Sequence, residues 1–155
     1  MAGEASIRGA RLDDRTALIA LQRRASLMWE EDRQALLDHP DAIDIPQDQI
    51  TEGRVFVAEA DGRTVGFGVV IPRSDGEAEL DGLYVEPGAW GRGIGRLLMH
   101  HAEALARSGG ARLLNVVSNG RAVGFYRACG FDGVREVQTG LSPGLEMIKA
   151  LTLGA

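Results

Sequence analysis

A chain of 155 residues fits a single domain over 1–155, and 45% apolar with 25% charged residues is the balance of an ordinary globular protein that folds without disulfides. A net charge of −5 argues against nucleic acid as the main partner and favours a neutral or cationic small substrate. Cys129 is the only cysteine and Lys149 the only lysine. This excludes an internal disulfide, a thiolate metal cluster and a G-x-x-x-x-G-K-S/T phosphate loop, and it confines any Schiff base to the last strand.

The opening "MAGEASIRGA" has no apolar run and no segment reaches transmembrane length, so a cytoplasmic protein without a membrane partner is expected. "SIRGARLDD" reads as a short strand ending in a turn. Leu18, Leu21, Ala25 and Met28 then recur at helical spacing behind an aspartate that predicts an N-cap. "RQALLD" predicts a second short helix, and "PQDQITEG" one more turn ending at Gly53. Asp61-Gly62 between "RVFVAEA" and "RTVGFGVVI" is a two-residue hairpin signal. A looser turn, "PRSDGE", leads to a fourth strand, "AELDGLYVE".

In that strand Leu80 falls on one face by alternation, and Leu83 and Val85 on the other. Placing all three in the core requires a bulge at Asp81-Gly82, which would splay the sheet there. Ile94, Leu97, Leu98, His101, Ala102 and Leu105 form a helical stripe ended by Gly109-Gly110. "RLLNVVS" is the near-continuous apolar run of a parallel strand, which completes a right-handed strand–helix–strand unit. A short helix with Ala122, Phe125 and Cys129 on one face stops at Gly130. Two strands follow, around 133–138 and 145–151.

The fourth strand meets the long helix at "WGRGIG", residues 90–95. Glycine is cheap only where the chain turns tightly or approaches something closely. A helix N-terminus leaves N–H groups unbonded and carries partial positive charge, so a turn of Gly91, Gly93 and Gly95 is suited to a phosphate, with Arg92 and Arg96 at its rim. The dinucleotide fingerprint G-x-G-x-x-G does not fit, because these glycines are spaced two and two. The alternative is a tight turn without a ligand.

The sequence resembles the GNAT superfamily of acyl-coenzyme A-dependent N-acetyltransferases. The carrying motif is Gln/Arg-x-x-Gly-x-Gly/Ala, read here as Trp90-Gly91-Arg92-Gly93-Ile94-Gly95, with Trp90 in place of the usual Gln or Arg. A second block is "SNGRAVGFYRACGF", with Asn119, Phe125, Tyr126, Gly130 and Phe131. The resemblance implies an α/β (α+β) GNAT fold: a mixed sheet of about seven strands, splayed at strands four and five, flanked by about four helices. It implies acetyl-CoA as co-substrate, no metal, and transfer of acetyl to a primary amine of a small molecule or peptide. The alternative on the same fold is a non-catalytic acyl-CoA-binding sensor. Pairing into a homodimer, common among such enzymes, is a further implication.

Leu83, Tyr84 and Val85, beside the splay, are expected to offer backbone groups to pantetheine, and Trp90 through Arg96, Asn119, Phe125 and Tyr126 to complete the cofactor site. Tyr126 is the candidate general acid, since a phenol titrating near ~10 can protonate a thiolate whose conjugate acid lies near ~8.5. Its alternative role is packing with Phe125. Glu79, ranked first, and Asp81 are the candidate bases, acting through water. "WEED" at 29–32 would put negative charge at a helix C-terminus, against the dipole. Either that helix ends earlier, or Trp29 and Glu30 serve a cationic acceptor. Cys129, His100 and His101 read as structural.

Overall fold

In the computed structural model the apolar runs Val55–Ala58 and Val65–Val70 are buried throughout, as are Leu18, Leu21 and Ala25 at helical spacing. The structure describes residues 4–138 and 143–151, apart from the side chains of residues 30–32. The elements are β1 (Ser6–Gly9), α1 (Arg15–Leu27), α2 (Glu30–Asp38), α3 (Gln47–Thr51), β2 (Val55–Ala60), β3 (Arg63–Pro72), β4 (Glu77–Val85), α4 (Ile94–Ser108), β5 (Leu113–Ser118), α5 (Val123–Ala128), β6 (Asp132–Gln138) and β7 (Pro143–Ala150). The strands form a seven-stranded sheet in the order β1-β2-β3-β4-β5-β7-β6. Five α-helices are present among the described residues, one more than the resemblance implied, because α3 is a separate short turn.

The chain falls into two compact units, residues 1–69 with 82–98 and residues 70–81 with 99–155. In the first, β1 pairs antiparallel with β2 and β2 with β3. The β2–β3 hairpin turns on Asp61 and Gly62, both at positive φ (54° and 74°), as the Asp-Gly pair predicts. Its core holds Leu18, Leu21, Leu36, Phe56, Phe67 and Leu98, and full burial of each such side chain stabilises by about 1.5–3 kcal/mol. In the second, β4 pairs parallel with β5 and β7 lies antiparallel between β5 and β6. Its core includes Leu80, Met99, Ala102, Leu114, Phe131 and Met147.

Three local expectations are corrected. Asp14 precedes α1 but makes no capping bond to it. Its own backbone is helical (φ −75°, ψ −22°), and its carboxylate accepts instead from the Arg11 N–H at 2.7 Å and the Arg8 guanidinium at 2.9 and 3.0 Å. Met28 is not part of the buried stripe but 51% exposed, because α1 ends at Leu27. In α4 the buried positions are Ile94, Leu98, Met99, Ala102 and Ala106, while Leu97, His101 and Leu105 are only half-buried. The helix is rotated toward its i, i+4 row from the stripe read in the sequence. No helix among the described residues is long and apolar enough to cross a membrane.

Candidate active site

The parallel pairing of β4 with β5 runs from Glu77 opposite Leu113 to Leu80 opposite Val116 and stops there, while β5 continues to Ser118 against β7. The splay therefore begins at Asp81-Gly82, the place expected from the sequence, although Leu83 and Val85 are only half-buried there. Burial changes at the same place. Ala78 and Leu80 are buried and Asp81 is exposed, and then Gly82 to Val85 are all half-buried, without alternation.

Within the first unit, β4 leads through a short turn at Pro87–Ala89 into the glycines. Gly91 and Gly93 both have positive φ, 83° and 78°, and a Cβ placed on either meets nothing within 4 Å. Nothing among the described residues crowds these glycines. The left-handed backbone is what favours glycine at both positions. The Gly93 carbonyl accepts the first bond of α4 from the Leu97 N–H at 3.1 Å, so the N–H groups of Ile94, Gly95 and Arg96 have no partner inside the helix. Ile94 is buried and anchors the turn, and Arg92 and Arg96 are exposed beside it.

Trp90 stands at the edge of this turn. Its indole Nε1 donates to the Val85 carbonyl at 2.9 Å, and its ring stacks on Trp29, centroids 5.5 Å apart and planes 15° from parallel. Helix α1 ends before "WEED", so Glu30 opens α2, where negative charge suits the dipole. That is the first of the two alternatives posed by the sequence. The side chain of Glu30 lies outside the described residues. Tyr84 packs its ring against Phe67 (5.4 Å) and its hydroxyl accepts from Gln22 Nε2 at 3.2 Å, while Arg24 forms a two-point pair with Glu86 at 2.9 and 2.7 Å. Helix α1 thus braces the end of β4 at Tyr84 and the residue just after it, Glu86.

Gly66 explains how the turn reaches its place. A Cβ there would lie 2.9 Å from the Tyr84 carbonyl oxygen, 2.9 Å from Leu98 Cδ1 and 3.3 Å from Ile94 Cγ2. Only a residue without a side chain lets β3, β4 and the first turn of α4 approach so closely. Gly66, Gln22, Arg24 and Arg73 lie outside the motifs of the sequence. For Gly66 a signal existed, since glycine inside a strand marks a close backbone approach. The other three carry none.

Within the second unit, Glu79 is half-buried and accepts an ion pair from Arg73, which follows β3. Asp81, two residues on, keeps an exposed surface, yet the protein mass around its carboxyl raises its pKa above the ordinary carboxylate value. The charge of Glu79 adds to that rise and Arg73 opposes it. Tyr126 is buried on α5, with Phe125 and Phe131 edge-on to its ring at 5.4 and 5.6 Å. Packing with Phe125 is therefore present. Asn119 Oδ1 accepts from the backbone N–H of Arg121 (3.1 Å) and Ala122 (2.9 Å), which shapes the entry to α5. Among the sequence-predicted residues, the printed geometry joins Trp29 to Trp90, Trp90 to the Val85 carbonyl, and Phe125 to Tyr126.

Comparison with known proteins gives a consistent picture. A model described as the acetyltransferase (GNAT) family matches residues 21–131. The chain is similar to an aminoglycoside N(6')-acetyltransferase type 1 of Stenotrophomonas maltophilia, 39% identical over 116 residues, covering 63% of this chain and 75% of that protein. It is also similar to the peptidyl-lysine N-acetyltransferase YjaB of Salmonella typhimurium, 33% identical over 127 residues, covering 81% and 82%. In fold it resembles the PaiA N-acetyltransferase of Thermoplasma acidophilum, solved in complex with coenzyme A, with a TM-score of 0.77 and 21% identity over 95% of this chain and 99% of that one.

Proposed function

The chain belongs to the acetyltransferase (GNAT) family and is an acyltransferase, and from that premise we infer that residues 1–155 act as one domain that transfers acetyl from acetyl-CoA to a primary amine of a cationic small molecule or peptide. The observation that carries this reading is the turn of Gly91 and Gly93, left-handed and open on its outer side at the N-terminus of α4. It fits a pyrophosphate through the first-turn N–H groups, with Arg92 and Arg96 adding charge. Acetyl-CoA, when bound, supplies the activated acetyl thioester.

The chain's own residues supply the rest. Leu83 and the Val85 N–H, beyond the point where β5 pairing stops, bind an amide-bearing chain in the manner of an adjacent strand. The Val85 carbonyl already accepts from Trp90. A backbone N–H near Gly82 polarises a carbonyl held against it. Asp81 takes the amine proton through water. It is the better base of the two candidates, because Arg73 holds Glu79 as its counterion while the surroundings of Asp81 favour a bound proton. The Tyr126 hydroxyl gives its proton to the departing sulfur, and the ring contacts with Phe125 and Phe131 keep its orientation. Asn119 supports this by shaping the turn before α5.

A cationic amine suits the net charge of −5 and the carboxylates at 77, 79 and 81 on one side of β4. The relatives named for aminoglycosides and for peptidyl-lysine likewise favour an amine acceptor. Calorimetry of acetyl-CoA against wild type and Gly93→Val, followed by thiol release over a panel of aminoglycosides, polyamines and lysyl peptides, tests the reading. Micromolar binding lost in the variant, with thiol release on a cationic amine, is expected. No binding to the wild type refutes it.

A further inference from the structure

The chain has two tryptophans, and the fold stacks them on each other. Trp90 is the first residue of the glycine turn. Its Nε1–H is held by the Val85 carbonyl, so its ring is fixed at two points, the turn and the end of β4. Trp29 is the residue from which α2 starts. Its backbone is extended (φ −96°, ψ 116°), and its carbonyl accepts the first hydrogen bond of that helix, from the Arg33 N–H at 3.1 Å. The Arg33 Nε also donates to the Leu27 carbonyl at 3.2 Å, at the end of α1. A continuous series of contacts thus runs from the glycine turn through two indole rings to the α1–α2 connection.

We propose that Trp90 is a positioning residue that couples the glycine turn to the α1–α2 connection through Trp29, so that occupancy of the turn by coenzyme A orders the start of α2. The proposal rests on the reading of the turn as the coenzyme A site. A ligand on the turn and on the Val85 backbone bears on both attachments of Trp90. Fixing them fixes the ring, the ring fixes Trp29, and Trp29 carries the first bond of α2. By linkage, anything that orders the connection tightens coenzyme A to the same degree. Aromatic stacking of this geometry supplies coupling of about two- to tenfold.

Hydrogen–deuterium exchange of the full chain, with and without coenzyme A as the probe, reads residues 28–38 directly. In the wild type, coenzyme A is expected to slow exchange there about two- to tenfold. Trp29→Ser, which leaves the turn intact, is expected to bind coenzyme A in calorimetry but show no ligand-dependent change at 28–38. Trp90→Phe keeps a ring to stack and retains part of the slowing. A purely structural role of the pair would alter exchange equally with and without ligand. Should Trp29→Ser melt below the assay temperature, Trp29→Phe carries the test, with a smaller ligand-dependent slowing than wild type expected and an equal one overturning the coupling. Full slowing in Trp29→Ser, or a wild type that binds coenzyme A with unchanged exchange at 28–38, overturns the coupling alone. Absence of coenzyme A binding by the wild type overturns the cofactor reading and the coupling with it, and calorimetry separates the two failures.

Discussion

Gly93 separates two reasons for a glycine, backbone conformation and ligand clearance. Its φ of 78° is left-handed, and a Cβ added there meets nothing within 4 Å. Any loss of stability on substitution is therefore conformational, about 1–2 kcal/mol for an ordinary residue and less for Asn, which tolerates this region best. Gly93→Asn is expected to lower stability by about 1 kcal/mol, or about 2–4 °C in Tm for a chain of this size. Gly93→Val, β-branched, loses about twice that. The asparagine side chain would also stand over the first-turn N–H groups of α4. Loss of two hydrogen bonds to a charged phosphate, at about 1.5 kcal/mol each, removes about 3 kcal/mol, and Kd for coenzyme A rises roughly a hundredfold. Thermal melts beside calorimetry on the same preparation measure both quantities. A Gly93→Asn variant that melts slightly lower but binds coenzyme A like the wild type refutes the clearance argument and leaves the glycine a purely conformational role.

The other predictions address the neighbouring residues. Gly66→Ala forces a methyl to 2.9 Å from the Tyr84 carbonyl, a backbone atom that cannot swing aside. Overpacking of about 1–3 kcal/mol outweighs the entropic gain of about 0.4–1. Both Tm and coenzyme A affinity fall, and an unchanged Tm would show that β3 and β4 move apart freely. Tyr126→Phe is expected to reduce turnover about a hundredfold while coenzyme A affinity changes little, measured where chemistry limits the rate. Equal turnover removes Tyr126 as the acid. Asp81 holds its proton to higher pH in the folded protein than the ordinary 3.8 of an unfolded chain, so its ionisation works against folding. Stability attributable to it falls as pH rises through the folded value. Asp81→Asn is therefore expected to melt higher than wild type at pH 7 and to match it near about pH 3. The same variant should lose the rise of rate with pH that Glu79→Gln retains, and the opposite pattern returns the base to Glu79.

Most of the element order was legible in the sequence because the signals are local. The hairpin at Asp61-Gly62 depends on the residues that must adopt positive φ, and the structure places both there. The end of β4–β5 pairing at Asp81-Gly82 was legible as the point where the apolar alternation breaks between Leu80 and Leu83. The glycine turn before α4 was visible for the same reason, as a departure from what regular structure tolerates. What escaped the sequence is whatever depends on a partner far along the chain. No local pattern pairs Gln22 with Tyr84, Arg24 with Glu86, or Trp29 with Trp90. Glu79 and Asp81 look equivalent in sequence, and only the approach of Arg73 to one and crowding around the other set them apart. Composition, period and turn chemistry determine which elements form and where the chain must turn through left-handed glycines. Tertiary packing decides which carboxylate is held as a counterion and which is pushed toward its neutral form, because charge and solvation are set by neighbours in space.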